Sequence, residues 1–144
     1  MNKTNKGFSL LELLIVVAII LIIATIAIPS LLRSRQAAHE AAAVATLRTI
    51  NTAEVTYLST AAGQFGQISD LVTNTLIASN FVPGPVSGYN FTIDIVAPFR
   101  DFTVWAFPAS TNDGRYGYYI TPDGVVKYSS LAPTGVVSGT PVTQ

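Results

Sequence analysis

A single carboxylate, Glu12, stands inside the run Phe8–Ile28 (FSLLELLIVVAIILIIATIAI), which is otherwise apolar apart from Ser9 and Thr25. A carboxylate at bilayer depth costs about 2.5–3.5 kcal/mol on insertion scales, so Glu12 needs a cation. The nearest source is an α-amino group created by cutting the chain before Phe8, on the same chain or on a neighbour. Gly7, which precedes that junction, and Pro29, which closes the run, complete the constellation. Each also has an ordinary explanation. Glycine after a polar stretch suits a loop, the helix dipole favours a first-turn glutamate by about 0.3–1 kcal/mol, and proline is frequent in membrane helices.

The other candidates for chemistry are sparse. His39 and Glu40 are adjacent, and neighbouring helical residues point in different directions, so they do not share a metal; a solvated helix face or an inter-subunit contact is expected. Asp94, Asp101, Asp113 and Asp123 are scattered, and the last two precede glycines in turns, where Asp caps the backbone. Asn90-Phe91-Thr92 matches the glycosylation sequon but reads as part of a strand. With one histidine and no cysteine, there is no catalytic constellation, metal site or cofactor site to assign, and disulfides and thiol chemistry are excluded. A net charge of +0 and a pI near 6.5 argue against sequence-independent nucleic-acid binding.

The elements that would carry these residues follow from composition. At 144 residues, 11% charged and mean hydropathy +0.46, the chain fits one domain with an apolar appendage, short of the roughly 25% charge of soluble proteins. Phe8–Ile28 is long enough to span a bilayer, and Lys3 and Lys6 place its start in the cytoplasm. No glycine occurs between Phe8 and Ala62, and Val44, Leu47, Ile50, Ala53 and Tyr57 form an apolar stripe with Arg48, Asn51 and Glu54 between them. One helix is therefore expected to run to a stop at Gly63. Pro29 predicts a kink or unwinding around Ala24–Ile28. A short second helix is expected within Ile68–Phe81, capped by Ser69 or Asp70. Four strands follow, at Tyr89–Val96, Phe102–Phe107, Tyr116–Thr121 and Val125–Ser129, the last two joined by the Pro122-Asp123-Gly124 turn. Tyr116, Tyr118, Tyr119 and Tyr128 cluster in that hairpin, where cross-strand packing explains most of them. Ala132–Gln144, rich in Gly, Pro, Thr and Ser, reads as irregular.

The stretch GFSLLELLIVVAIILIIATIAIP, with its continuation through Leu58, resembles the N-terminus of type IV pilins and type II secretion pseudopilins. The resemblance implies an α+β, pilin-like fold: a leader 1–7, a long helix 8–62 whose half 8–29 lies in the membrane or filament core, and a head 63–144 with a four-stranded antiparallel sheet. It implies that prepilin peptidase cuts between Gly7 and Phe8 and that Phe8 is N-methylated. Glu12 would then neutralise the Phe8 ammonium of an adjacent subunit, and Pro29 would mark where the helix bends or melts. The implied partners are other copies of the subunit in a filament, the prepilin peptidase, and an inner-membrane assembly platform and motor. The implied location is the bacterial inner membrane for the precursor, then a cell-surface filament or a periplasmic pseudopilus. Ser9, where threonine is commoner, is a departure with no evident consequence. The disulfide of many pilins is impossible here, and the calcium loop of some pseudopilins is not recognisable around Asn112 and Asp113.

Three alternatives stay open. A secretory signal cut after Ala27 conflicts with the length of the apolar run and with Glu12 inside it. A signal-anchored periplasmic binding module explains the membrane segment but gives Glu12 and the Gly7–Phe8 junction no task. A type II secretion pseudopilin shares every N-terminal feature with a pilus subunit.

Overall fold

A computed structural model describes residues 7–81, 84–96 and 100–129. Helix α1 spans Leu10–Thr60, close to the expected 8–62. It ends where Ala62 and Gly63 take positive φ (53° and 79°) and the Gly63 N–H returns to the Leu58 carbonyl at 3.1 Å, a left-handed stop that glycine adopts without strain. The chain forms two compact units, Met1–Ser34 and Arg35–Gln144.

The first unit holds the apolar half of α1. Ala24–Ile28 is helical, not unwound, and Pro29 lies inside the helix. Proline deletes one backbone donor, and the turns on either side keep their own bonds. The Thr25 hydroxyl adds a bond to the Ile22 carbonyl at 2.7 Å.

The second unit is the head. Here α1 buries Ala43, Leu47, Ile50 and Ala53 against Phe65, Leu71, Ile77, Tyr89, Ile93, Phe102, Val104, Ala106 and Ile120. The stripe differs from the expected one in two ways. Its upper end is Ala43, with Val44 only half-buried, and Glu54, expected among the polar positions, is fully buried.

Helix α2 spans Ile68–Thr73 and is followed by a 3₁₀ turn at Ser79–Phe81. Its N-cap is Gln67 rather than Ser69 or Asp70. Asp70 sits one turn in, where its Oδ2 accepts the Gln67 N–H at 2.8 Å, the reach-back half of a capping box. The helix stops early because Asn74 donates back to the Asp70 carbonyl and Thr75 turns to φ 56°.

Strands β1 (Tyr89–Val96), β2 (Asp101–Pro108), β3 (Gly117–Ile120) and β4 (Val126–Ser129) form an antiparallel meander in the order β1-β2-β3-β4. Cross-strand rows alternate in facing. The row Ile93–Val104–Ile120–Val126 and, in the row Phe91–Ala106–Tyr118–Tyr128, its first three members belong to the core or pack against it, while Tyr128 meets Tyr116 edge-on at 5.6 Å.

The Tyr89 hydroxyl donates to the Tyr116 carbonyl at 3.0 Å, tying β1 to the entrance of β3. Gly114 lies directly over that phenol, and a Cβ there would overlap the ring and its oxygen. Gly114→Ala is therefore expected to destabilise the head by about 1–3 kcal/mol, the usual penalty of overpacking. Denaturant unfolding followed through Trp105, the single tryptophan, measures it, and an unchanged midpoint would show that the loop yields.

Candidate functional site

Phe8 lies outside the helix and is 81% exposed. Ser9 is the residue before Leu10, and its Oγ accepts the Leu11 N–H at 3.3 Å while its own N–H donates to Glu12 Oε2 at 3.0 Å. These two bonds make the reciprocal cap S-x-x-E. The cap gives Ser9 a structural task that the sequence reading missed, although Ser9-Leu10-Leu11-Glu12 spells it out. Glu12 thus reaches back towards the Gly7–Phe8 junction, in the turn where the helix dipole favours an anion. One of its carboxylate oxygens is engaged by the Ser9 N–H. Pro29 is not part of this arrangement: 17 residues on from Glu12, it lies about 26 Å away along the helix.

Around this cap the helix presents an apolar surface. Every large apolar side chain from Phe8 to Leu32 is between 46% and 81% exposed. Exposure on that scale, on all sides of a helix, is compatible with lipid or with a bundle of other helices and not with water. The stretch is long and apolar enough to cross a membrane. A family profile described as a prokaryotic N-terminal methylation motif matches residues 2–28. The chain carries the type IV pilin and pseudopilin signature. Neither a curated protein nor a solved structure matches it. The architecture agrees with the signature: a long N-terminal helix on a small four-stranded antiparallel sheet is a pilin-like α+β arrangement.

The other residues singled out in this pilin-like chain fall in the head. His39 and Glu40 are not on a solvated face. They are half-buried against the loop that precedes β3. Glu40 Oε1 accepts the Arg115 N–H at 2.8 Å, Gln36 Nε2 donates to the Thr111 carbonyl at 3.0 Å, and Arg115 Nε donates to Gln36 Oε1 at 3.4 Å. His39 Nδ1 lies 3.3 Å from Asp113 Oδ1, with Arg35 at 4.0 Å from the same oxygen, and Ser110 donates to Asp113 Oδ2 at 2.6 Å. Burial first, then the Glu40 carboxylate, push the Tyr118 phenol up to about 12.

This clamp fastens the 110–115 loop to α1, and Asp113 serves it as well as its own turn. Among the described residues no three His, Asp or Glu side chains gather as a metal site would require. Asp123 is a local cap, as expected of its turn. Its carboxylate is held at about 2 by Lys127, by Thr121 and by the Val125 N–H. Glu40→Ala should lower head stability by about 1–3 kcal/mol, because the Arg115 N–H loses a charged acceptor. Glu40→Gln, which retains an acceptor, should recover part of the loss in the same denaturation assay.

Glu54 is the head residue that the sequence reading placed wrongly. It is 0% exposed. Its Oε2 accepts the Gly66 N–H at 3.1 Å, and its Oε1 has no partner among the described residues. Gly66 is itself tightly packed: a Cβ there would meet the Tyr57 ring at 2.7 Å and Asp70 at 3.1 Å. Burial raises the Glu54 carboxyl from 4.5 to about 7, the Gly66 N–H opposing and Asp70 reinforcing the shift.

Proposed function

We propose that this chain is a structural subunit of a type IV pilus, cut by prepilin peptidase between Gly7 and Phe8, N-methylated on Phe8, and polymerised through its N-terminal helix. The signature is that of a structural rather than an enzymatic type in general, and it fits a membrane-anchored precursor. The observation that carries the reading is the coincidence of the methylation motif at residues 2–28 with a helix whose apolar side chains are exposed on all sides around one carboxylate. In the precursor that helix lies in the inner membrane. An assembly platform and motor then draw it out, and the helices of many copies bury one another's apolar surface. Most of that burial replaces lipid contact, so polymerisation relies on work from outside the chain and on the pairing of Glu12 with the Phe8 ammonium of a neighbour.

We favour a pilus over a type II secretion pseudopilus because the calcium loop of some pseudopilins is not recognisable in the sequence around Asn112 and Asp113, and the Asp113 carboxylate lies against Ser110, His39 and Arg35. The test is intact-mass and N-terminal peptide analysis of sheared surface material and of membranes. A chain beginning at Phe8 with one added methyl, abundant in the sheared fraction, is expected. The same processed chain confined to membranes and periplasm would favour the pseudopilus. A chain beginning after Ala27, or still at Met1, would overturn the proposal in favour of a secreted or anchored module.

A further inference from the structure

The apolar run of α1 is followed at once by Arg33 and Arg35. In the orientation that Lys3 and Lys6 set, these lie on the bilayer face where arginine is normally depleted. The head adds a third. The Arg115 N–H is held by Glu40 Oε1 at 2.8 Å, and its Nε donates to Gln36 Oε1 at 3.4 Å. Gln36 is one turn closer to the apolar run than Glu40, so the Arg115 side chain is led towards the start of the head. A residue 79 positions from Gln36 in sequence is thereby carried to the first turn of that unit.

Charge is sorted by depth at this end of the head. Its carboxylates turn inward: the Asp113 side chain is 18% exposed and occupied by Ser110 at 2.6 Å and His39 at 3.3 Å, and Glu40 is half-buried on the Arg115 N–H. The cations turn outward. The Arg35 side chain is 64% exposed and approaches Asp113 only to 4.0 Å, and Arg115 is exposed beside a neutral glutamine. Among the described residues neither guanidinium has a carboxylate closer than 4.0 Å. Exposed guanidiniums without a close anion present the forked donors that recognise phosphate.

The chain limits how far they stand from lipid. Leu32 is the last large side chain of the exposed apolar run. Gln36 is four residues on, at most about 14 Å whatever the path of the chain. The headgroup layer is about 5–8 Å deep on each face of a bilayer, and long arginine side chains extend to meet it. We propose that in the membrane-resident precursor Arg35 and Arg115 dock the 110–115 loop onto anionic phospholipid, each guanidinium taking a headgroup phosphate. This rests on the membrane-anchored reading given above. Extraction into a filament must then break these contacts as well as withdraw the apolar helix.

The absence of cysteine allows one fluorophore to be placed at Thr111→Cys, an exposed position in the loop. The full chain is reconstituted in phosphatidylcholine vesicles with or without phosphatidylglycerol, a fraction of the headgroups carrying a nitroxide. With phosphatidylglycerol present the fluorophore should be quenched, and added salt should relieve the quenching. A fluorophore at Thr73→Cys on α2, whose Asp70 lies beside Gly66 at the Glu54 end of α1, should stay unquenched. Each arginine near an anionic surface favours binding about fivefold. Arg35→Gln and Arg115→Gln should therefore each lower the ratio of docked to free loop about fivefold, and Arg115→Lys should retain most of the quenching. If either Gln variant fails to fold, the lipid and salt dependence of the parent decides. A chain that floats with the vesicles while its Thr111 label is unquenched, or equally quenched without phosphatidylglycerol, would overturn the docking and leave the membrane reading intact. Parental quenching in both folded Gln variants would overturn it too. A chain that does not float with the vesicles would remove both readings.

Discussion

Replacing Glu54 by Gln is expected to abolish a loss of head stability of about 3 kcal/mol that the parent suffers as pH rises from about 5 to 8. The unfolded chain gives up the Glu54 proton near the ordinary value of 4.5, and the folded head holds it to about 7. Below the lower value both states are protonated and the group contributes nothing. Between the two values the folded state binds a proton that the unfolded state has lost, so stability falls as pH rises. Above the upper value the folded head contains a buried carboxylate that has, among the described residues, one N–H bond, from Gly66, and an oxygen without a partner. Glutamine does not titrate and can keep an oxygen on the Gly66 N–H. Its amide N–H groups add an unsatisfied donor cost at every pH, so the slope identifies the effect better than any one midpoint. Unfolding of the full chain in detergent, followed through Trp105 at several pH values, gives that slope. Parallel curves for parent and variant would show that Glu54 is not the titrating group.

The sequence contained the Glu54 result in a form that hydrophobicity hides. Positions 43, 47, 50, 54 and 57 recur at alternating spacings of four and three, which is one helical face. Reading only apolar letters substitutes Ala53 for Glu54 and puts a carboxylate on the wet side. Its one hydrogen-bond donor among the described residues is the backbone N–H of Gly66, twelve residues on, and no local pattern announces such a pairing. His39 and Glu40 were opaque for a related reason: their partners, Asp113 and Arg115, are more than seventy residues away and come together only when the sheet closes on α1. What depends on local rules was legible. The glycine-free stretch ending at Gly63 marked α1, the alternation in YNFTIDIV and FTVWAF marked β1 and β2, and Pro122-Asp123-Gly124 marked the last hairpin, with Gly124 at φ 73°. The β1–β2 connection at Ala97–Phe99 and the irregular reading of Ala132–Gln144 lie outside the described residues. At the candidate site, Glu12 was conspicuous because charge inside an apolar run is costly, whereas Ser9 was overlooked because a hydroxyl at a helix start is cheap and common.

That cap sharpens what Glu12 variants should do. Glu12→Ala removes both the acceptor for the Ser9 N–H and the negative charge, whereas Glu12→Gln can keep the acceptor and lacks only the charge. If the charge pairs with the Phe8 ammonium of a neighbouring subunit, both variants strand that cation in the filament core. Removing one partner of a buried ion pair costs about 3–5 kcal/mol, and at about 1.4 kcal/mol per decade each subunit contact weakens by roughly a hundredfold or more. Surface filament yield should therefore collapse in both variants, while membrane insertion, cleavage before Phe8 and head stability stay at parental levels. Quantifying sheared filaments beside processed subunit in membranes separates these steps. Were Gln to assemble normally while Ala failed, the helix cap and not the charge would be the determinant. Normal yield from both would remove Glu12 from the assembly mechanism altogether. Ser9→Ala is the complementary control: it deletes the hydroxyl that accepts the Leu11 N–H, at about 1 kcal/mol, and leaves the charge in place. Filaments should persist in that variant, because a fraying first turn can be re-formed by packing and an unpaired charge cannot.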